Sequence, residues 1–150
     1  MKAYSFTNLT VRSFPTVADL NNPWIFGGVQ VIINVSGHDY PDEIKQLLSA
    51  KGIERYWFPL VEEGPDTGLD NIIKAVRVLQ GCDQENRKVV LHCTCGNNRS
   101  RTVAEVLHYV KTGGQFDDEY KGYANHLLYN IGEGHLPRME EIMAKFNQGI

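Results

Sequence analysis

Residues 29 to 35, Val-Gln-Val-Ile-Ile-Asn-Val, form a nearly continuous run of apolar, mostly β-branched side chains. Strands that are covered on both faces have this composition, whereas strands with one face in water alternate apolar and polar residues. Strands covered on both faces occur mainly in parallel sheets that carry helices on each side. The run therefore favours folds that contain a buried parallel strand.

The rest of the chain alternates between helical and extended patterns. Apolar residues at helical spacing predict helices over residues 41–50, 69–80 and 100–111. A cap at Thr16 predicts a short helix through Leu20, and two further helices are expected over residues 118–130 and 137–147. Short apolar runs predict further strands over residues 55–60 and 89–91, and one or two edge strands between residues 3 and 14. The β-α-β-α-β-α order predicts an α/β domain with a central, mainly parallel sheet flanked by helices.

Composition narrows the class of protein. A length of 150 residues fits one domain spanning 1–150, and 42% apolar residues are enough to form a core. A net charge of −3 without a basic stripe argues against nucleic acid as a partner. We find no signal peptide and no apolar run of about 18 residues, so a soluble protein without a membrane partner is expected. Three cysteines without metal-type spacing favour a reducing, cytoplasmic compartment.

The stretch VVLHCTCGNNRSR, residues 89 to 101, passes from a buried strand through a short loop into the start of a helix. Free main-chain amides in the loop and first helical turn, together with the positive end of the helix dipole, create a site for an anion. Gly96 allows positive φ and close approach of an oxygen. We expect this loop to bind a phosphate or sulfate-type anion through Thr94, Cys95, Gly96, Asn97, Asn98 and Arg99.

Three side chains in this stretch are suited to catalysis. A thiol at Cys93, aimed into the positive field, is expected to have a lowered pKa and to act as a nucleophile. Arg99 can hold two phosphoryl oxygens with its planar fork. Ser100 can stabilise first the thiolate and later the leaving sulfur, while His92 can fix the geometry from behind the loop.

The pattern His-Cys-x-x-Gly-x-x-Arg-Ser, carried by His92, Cys93, Gly96, Arg99 and Ser100, resembles the signature loop of the protein tyrosine and dual-specificity phosphatases. The resemblance extends over residues 25 to 111. It implies a phosphatase fold and hydrolysis of phosphate monoesters through a phosphocysteine intermediate, without a metal or other cofactor. The implied substrates are phosphorylated proteins or small phosphate esters.

The resemblance also implies a general acid on a loop about thirty residues before the cysteine. Asp66 has the usual residue type but lies 27 positions before Cys93, whereas Glu62 is the less usual residue at the better position, 31 before it. Glu63 is a third candidate. Asp66 is slightly favoured on its chemistry, although it could instead cap the next helix.

Two loop residues depart from the family pattern. Cys95 and Asn98 occupy positions where small residues are usual. Cys95 could protect Cys93 in a reversible disulfide, but the ring would be strained, and a small loop filler is the simpler interpretation. Outside the loop, Cys82 is expected to be structural, and His38, His108, His126 and His135 lack metal-ligand spacing.

Other functions are compatible with the same loop. Phosphoinositide and RNA-end phosphatases use similar loops, although the neutral Asn97 and Asn98 do not favour a polyanionic ligand. A phosphate-binding module without turnover is a second hypothesis, and sulfur transfer or arsenate reduction is a third. The sequence determines neither the physiological substrate nor the oligomeric state.

Overall fold

The computed structural model describes residues 8–60, 69–94, 99–113, 143, 144, 146 and 147. Within these ranges four strands and five helices follow one another along the chain. In order, they are β1 (Leu9–Arg12), α1 (Val17–Leu20), α2 (Pro23–Phe26), β2 (Val31–Asn34), α3 (Asp42–Ala50), β3 (Glu54–Trp57), α4 (Leu69–Gln84), β4 (Val89–His92) and α5 (Arg99–Thr112).

The four strands form one sheet in the order β1-β4-β2-β3, and every pairing is parallel. In the register of the central strands, Ile33 of β2 lies opposite Leu91 of β4. All residues of β2 and β4 are buried, whereas the outer strand β3 is largely exposed. This burial pattern confirms the buried parallel strand and the α/β class predicted from residues 29 to 35.

Helices cover both faces of the sheet, which gives the protein two hydrophobic clusters. Val31, Ile33 and Leu91 point to one face and pack in a cluster with residues of α4 and α5. Ile32 and Val90 point to the other face and pack with residues from α1, α2 and α3. Successive side chains of a strand point to opposite faces, so β2 and β4 contribute to both clusters.

Several predicted boundaries were wrong, each for a local reason. The Asn21-Asn22-Pro23 stretch ends α1 but also begins α2, because the Asn22 side chain accepts a hydrogen bond from the Trp24 amide at 2.9 Å. Helix α4 continues through Gly81 to Gln84 instead of ending at residue 80. Strand β3 ends at Trp57, before Pro59, although the Leu60 amide still bonds the Val35 carbonyl at 3.2 Å.

The carboxy-terminal predictions are only partly covered. The predicted helix over residues 118–130 lies outside the described residues. Of the predicted helix over residues 137–147, four residues are described, and all four are helical. Met143 and Phe146 pack against the core, and the Arg77 guanidinium lies 4.7 Å from the centre of the Phe146 ring. None of the helices in the described part of the chain combines the length and apolar character needed to cross a bilayer.

Candidate active site

The candidate nucleophile lies at the carboxyl end of a central strand. Cys93 directly follows β4, and its side chain is almost completely buried. The Val35 amide bonds the His92 carbonyl at 2.9 Å, so the ladder with β2 holds the chain up to the residue before the cysteine. Of the six predicted anion-binding residues, Thr94 and Arg99 are described, while Cys95, Gly96, Asn97 and Asn98 lie outside the described residues.

The first turn of α5 brings a hydroxyl to the thiol. Ser100 is fully buried, and its Oγ lies 3.3 Å from Cys93 Sγ. Either group can donate while the thiol is protonated. An ionised sulfur only accepts, so Ser100 is then the donor. The strand and the helix therefore bring together Cys93 and Ser100, two of the residues predicted to be catalytic.

The guanidinium of Arg99 turns back toward the loop. Its Nη2 donates to Thr94 Oγ1 at 3.0 Å, and its Nη1 donates to the Leu60 carbonyl at 3.5 Å. These contacts hold the two outer nitrogens of one rigid fork. Arg99 is thus brought to the first residue after the cysteine, where the sequence predicted a phosphate clamp.

Behind the loop, His92 joins two polar groups in a buried position. Its Nδ1 lies 3.2 Å from the Cys93 carbonyl, and its Nε2 lies 2.6 Å from the Tyr40 hydroxyl. A carbonyl can only accept, so Nδ1 carries the hydrogen, Nε2 accepts, and the Tyr40 hydroxyl donates. Burial lowers the pKa of His92 to about 4 and raises the pKa of Tyr40, which keeps both side chains neutral at pH 7.

A second contact fixes the next carbonyl. The Phe14 amide, just beyond β1, donates to the Thr94 carbonyl at 3.1 Å. The Phe14 ring also meets the His92 ring edge-on at a centroid distance of 4.9 Å. The carbonyls of Cys93 and Thr94 are therefore both bonded by groups outside the loop. Neither Tyr40 nor Phe14 was identified from the sequence, because each lies in a connection where no strand or helix periodicity marks a residue as buried.

The candidate general acids, Glu62, Glu63 and Asp66, lie outside the described residues. Leu60, two positions before Glu62, is described: it is buried, and its carbonyl accepts the hydrogen bond from Arg99. A residue that contacts the candidate phosphate clamp therefore lies close in sequence to the candidate acids.

Of the cysteine and histidine predictions made outside the anion loop, those for His126 and His135 lie outside the described residues. Cys82 is buried within α4 in the core, and burial raises the pKa of its thiol. Its structural role agrees with this placement. Among the described residues, no group of three or more His, Cys, Asp or Glu side chains is arranged to hold a metal ion.

Comparison by sequence finds no relative: no protein-family model matches the chain, and no curated protein does. Comparison with solved structures finds several. PTPMT1 matches with a TM-score of 0.68 at 16% identity, over 93% of this chain and 94% of that chain. The catalytic core of the PP-IP phosphatase SIW14 from S. cerevisiae matches with a TM-score of 0.63 at 16% identity, over 97% and 91% of the two chains.

A putative phosphatase from Shewanella putrefaciens CN-32 is similar to the same extent, with a TM-score of 0.62 at 15% identity over 97% of this chain and 87% of that chain. At such low identity these matches establish the architecture only. The all-parallel sheet, the helices on both of its faces and these matches agree with the resemblance carried by residues 92 to 100. The chain therefore has the fold of the cysteine-dependent protein tyrosine phosphatase superfamily.

Proposed function

We propose that the protein hydrolyses phosphate monoesters through a phosphocysteine intermediate. The observation that carries this proposal is the meeting of Cys93, Ser100 and Arg99 at one strand-to-helix junction, with Sγ 3.3 Å from the Ser100 hydroxyl and the guanidinium bonded to Thr94. A nucleophile, a donor for its anion and a planar cation are the groups that phosphoryl transfer to sulfur requires.

In the first step the Cys93 thiolate attacks phosphorus, an S–P bond forms and the P–O bond to the leaving group breaks. Arg99 and the loop amides of Thr94, Cys95, Gly96, Asn97 and Asn98 bind the phosphoryl oxygens. A carboxylic acid, with Asp66 favoured over Glu62 and Glu63, gives its proton to the leaving oxygen.

In the second step water attacks the phosphocysteine, and the same carboxylate takes a proton from this water. The S–P bond breaks, inorganic phosphate forms, and sulfur leaves as a thiolate that accepts a hydrogen bond from Ser100. The Arg99 fork is preorganised for both steps, because its two outer nitrogens are held in place by Thr94 and Leu60.

Hydrolysis of p-nitrophenyl phosphate by wild type and Cys93→Ser tests this proposal. We expect Cys93→Ser to abolish turnover and Arg99→Lys to lower it by about 100-fold or more, as for loss of one preorganised donor to the reacting group. Cys82→Ser, the same substitution at a buried cysteine in α4, should keep its activity. Inactive wild type that binds phosphate tightly would identify a binding module, and turnover of thiosulfate or arsenate alone would favour the sulfur-transfer or arsenate-reducing alternatives.

The leaving group identifies the general acid. Asp66→Asn should lower turnover of alkyl phosphates more than that of aryl phosphates, because an aryl oxygen leaves without much help from a proton. Glu62→Gln and Glu63→Gln are the matched controls. Equal losses on both substrate types for Asp66→Asn would transfer the role to another carboxyl group.

For the substrate, we propose phosphotyrosine or mixed phosphoprotein substrates of the dual-specificity kind. The neutral Asn97 and Asn98 support this choice, since a polyanionic headgroup is better served by basic residues in the loop. Two structural relatives argue for other esters, because one is a PP-IP phosphatase and PTPMT1 has been solved with PI(5)P. Comparing kcat/KM for phosphotyrosine and phosphothreonine peptides with kcat/KM for PI(5)P separates these classes, and a preference for the lipid would refute our choice.

We also propose that residues 1–150 act as one domain in the cytoplasm. Packing of Met143 and Phe146 against the sheet core supports a single unit. A catalytic thiol is best kept reduced in a reducing compartment.

A further inference from the structure

A tryptophan at the end of the outer strand bonds a loop beside the candidate site. Trp57 is the last residue of β3, and its indole Nε1 donates to the Ser36 carbonyl at 3.0 Å. The side chain is 42% exposed, so burial alone does not explain its position. The chain contains two tryptophans, and the other, Trp24 in α2, is 94% exposed.

The bonded loop follows β2 and has its own polar network. Asn34 is fully buried. Its side-chain Nδ2 donates to the His38 carbonyl at 2.7 Å, and its Oδ1 accepts from the Ser36 main-chain amide at 2.8 Å. The Ser36 hydroxyl donates to the same His38 carbonyl at 2.9 Å. These bonds hold the inner side of the loop, whereas Trp57 holds the outward Ser36 carbonyl from the neighbouring strand.

The next residue of this loop faces the candidate phosphate clamp. A Cβ placed on Gly37 would lie 3.9 Å from Arg99 Nη1, so this residue lies near that nitrogen. The same Nη1 donates to the Leu60 carbonyl at 3.5 Å, and Nη2 donates to Thr94. The guanidinium therefore lies among three segments of the chain, one of which is the loop that Trp57 bonds.

We propose that Trp57 is a positioning residue for Arg99, acting through the Ser36–Gly37 peptide. This inference rests on the proposed function, in which Arg99 binds the phosphoryl group. Loss of the indole N–H would leave the Ser36 carbonyl without this donor. Because glycine rotates readily, the Ser36–Gly37 peptide would then turn more freely and would confine the neighbouring Nη1 less closely. The fork would sample more orientations, and an anion would have to order it on binding.

Trp57→Phe tests the proposal, with Trp24→Phe as a matched control. Binding of inorganic phosphate is measured by calorimetry, and p-nitrophenyl phosphate kinetics are measured alongside. We expect Trp57→Phe to weaken phosphate binding by about fivefold, the effect of losing one ordinary hydrogen bond, and Trp24→Phe to leave it unchanged. Equal affinities for the two variants would overturn the proposal.

Repeating the substitution in an Arg99→Lys variant separates positioning of Arg99 from other effects of Trp57 on phosphate binding. In Arg99→Lys protein the planar fork is absent, so adding Trp57→Phe should cause no further loss of phosphate affinity. A fivefold loss that persists there would show that the indole acts by another route and would overturn the proposal. Wild type that binds phosphate but hydrolyses no ester would refute the proposed function alone, since the affinity comparison does not require turnover.

A spectroscopic measurement avoids substitution of Trp57. In Trp24→Phe protein the remaining indole is the only tryptophan fluorophore, and phosphate binding to Arg99 should change its emission with saturation. The change should disappear in Trp24→Phe/Arg99→Lys protein. An emission spectrum that does not respond to saturating phosphate would contradict coupling between Trp57 and the clamp.

Discussion

The imidazole of His92 shows how one buried side chain can orient the backbone of the candidate catalytic loop. Its Nδ1–H donates to the carbonyl of Cys93, while the Tyr40 hydroxyl donates a hydrogen bond to Nε2. The Tyr40 bond selects the tautomer, because an Nε2 that accepts leaves the hydrogen on Nδ1. With the Cys93 carbonyl bonded from behind, the Thr94 amide of the same trans peptide points to the opposite side. Tyr40 therefore acts on this peptide through His92.

Removing the Tyr40 hydroxyl should be costly. We expect Tyr40→Phe to lower the free energy of unfolding by about 1–3 kcal/mol, because a buried acceptor loses its donor. The nitrogen NMR shifts of His92 should also change toward a mixture of tautomers. Tyr56→Phe is the control: it removes the same atom from a hydroxyl that bonds the exposed Glu54 carboxylate, and its cost should be below about 0.5 kcal/mol. Equal costs for the two variants would contradict this role.

At the scale of the element, helix α3 illustrates how a glycine ends a helix and directs the chain into a strand. The Ile53 amide bonds the Leu48 carbonyl at 3.0 Å, and the Gly52 amide bonds the Ser49 carbonyl at 3.1 Å. Gly52 has a φ of 69°, the left-handed conformation that this ending requires. The chain then enters β3, whose last residue is Trp57.

Alanine at two glycines should have opposite effects. A Cβ at Gly52 or at Gly81 would meet no atom within 4 Å, so only the backbone distinguishes the two sites. Gly52→Ala should destabilise the protein by about 1 kcal/mol, since alanine disfavours positive φ. Gly81→Ala, inside α4, should stabilise it by about 0.5–1 kcal/mol through helix propensity. Urea denaturation measures both, and changes of the same sign would contradict the argument.

Elements with a repeating pattern were predictable from the sequence, whereas single contacts were not. The strands β2 and β4 are nearly continuous apolar runs, and α5 carries an apolar stripe with a period of 3.6 residues. The order of these elements predicts the α/β fold. Cys93, Arg99 and Ser100 could be found because one short segment contains them all. Tyr40, Phe14 and Trp57 come near the candidate site only through the tertiary structure. Asn34 interrupts an apolar run because its side chain bonds the following loop, and these bonds are visible only in the folded chain.

For the whole molecule, His92 links stability to pH. The pKa of its imidazole is lowered from 6.5 to about 4 in the folded protein, chiefly by burial. Between about pH 6.5 and pH 4, His92 is protonated in the unfolded chain but stays neutral in the folded protein. The free energy of unfolding therefore decreases as pH falls through this range, and His92 does not change it above pH 6.5. The expected loss is about 3 kcal/mol.

Comparison of wild type with His92→Asn isolates this contribution. Three carboxyl groups also have lowered pKa values in the folded protein, namely those of Asp19, Asp39 and Glu54. Their protonation lowers the free energy of unfolding at still lower pH. Because both proteins contain them, their effect cancels when the two free energies are subtracted. Unfolding free energies from urea titrations between pH 4 and pH 8 provide the measurement. Parallel curves for the two proteins would mean that His92 does not titrate as described.

The central place of β4 in the sheet protects the backbone next to the candidate site from local unfolding. Both neighbours of this strand, β1 and β2, hydrogen-bond to it, so fraying at the outer margins of the sheet leaves one ladder intact. The amides of Leu91 and His92 should exchange with deuterium only through near-global opening. The strand that carries the candidate nucleophile should therefore keep its place in the sheet until the protein as a whole unfolds.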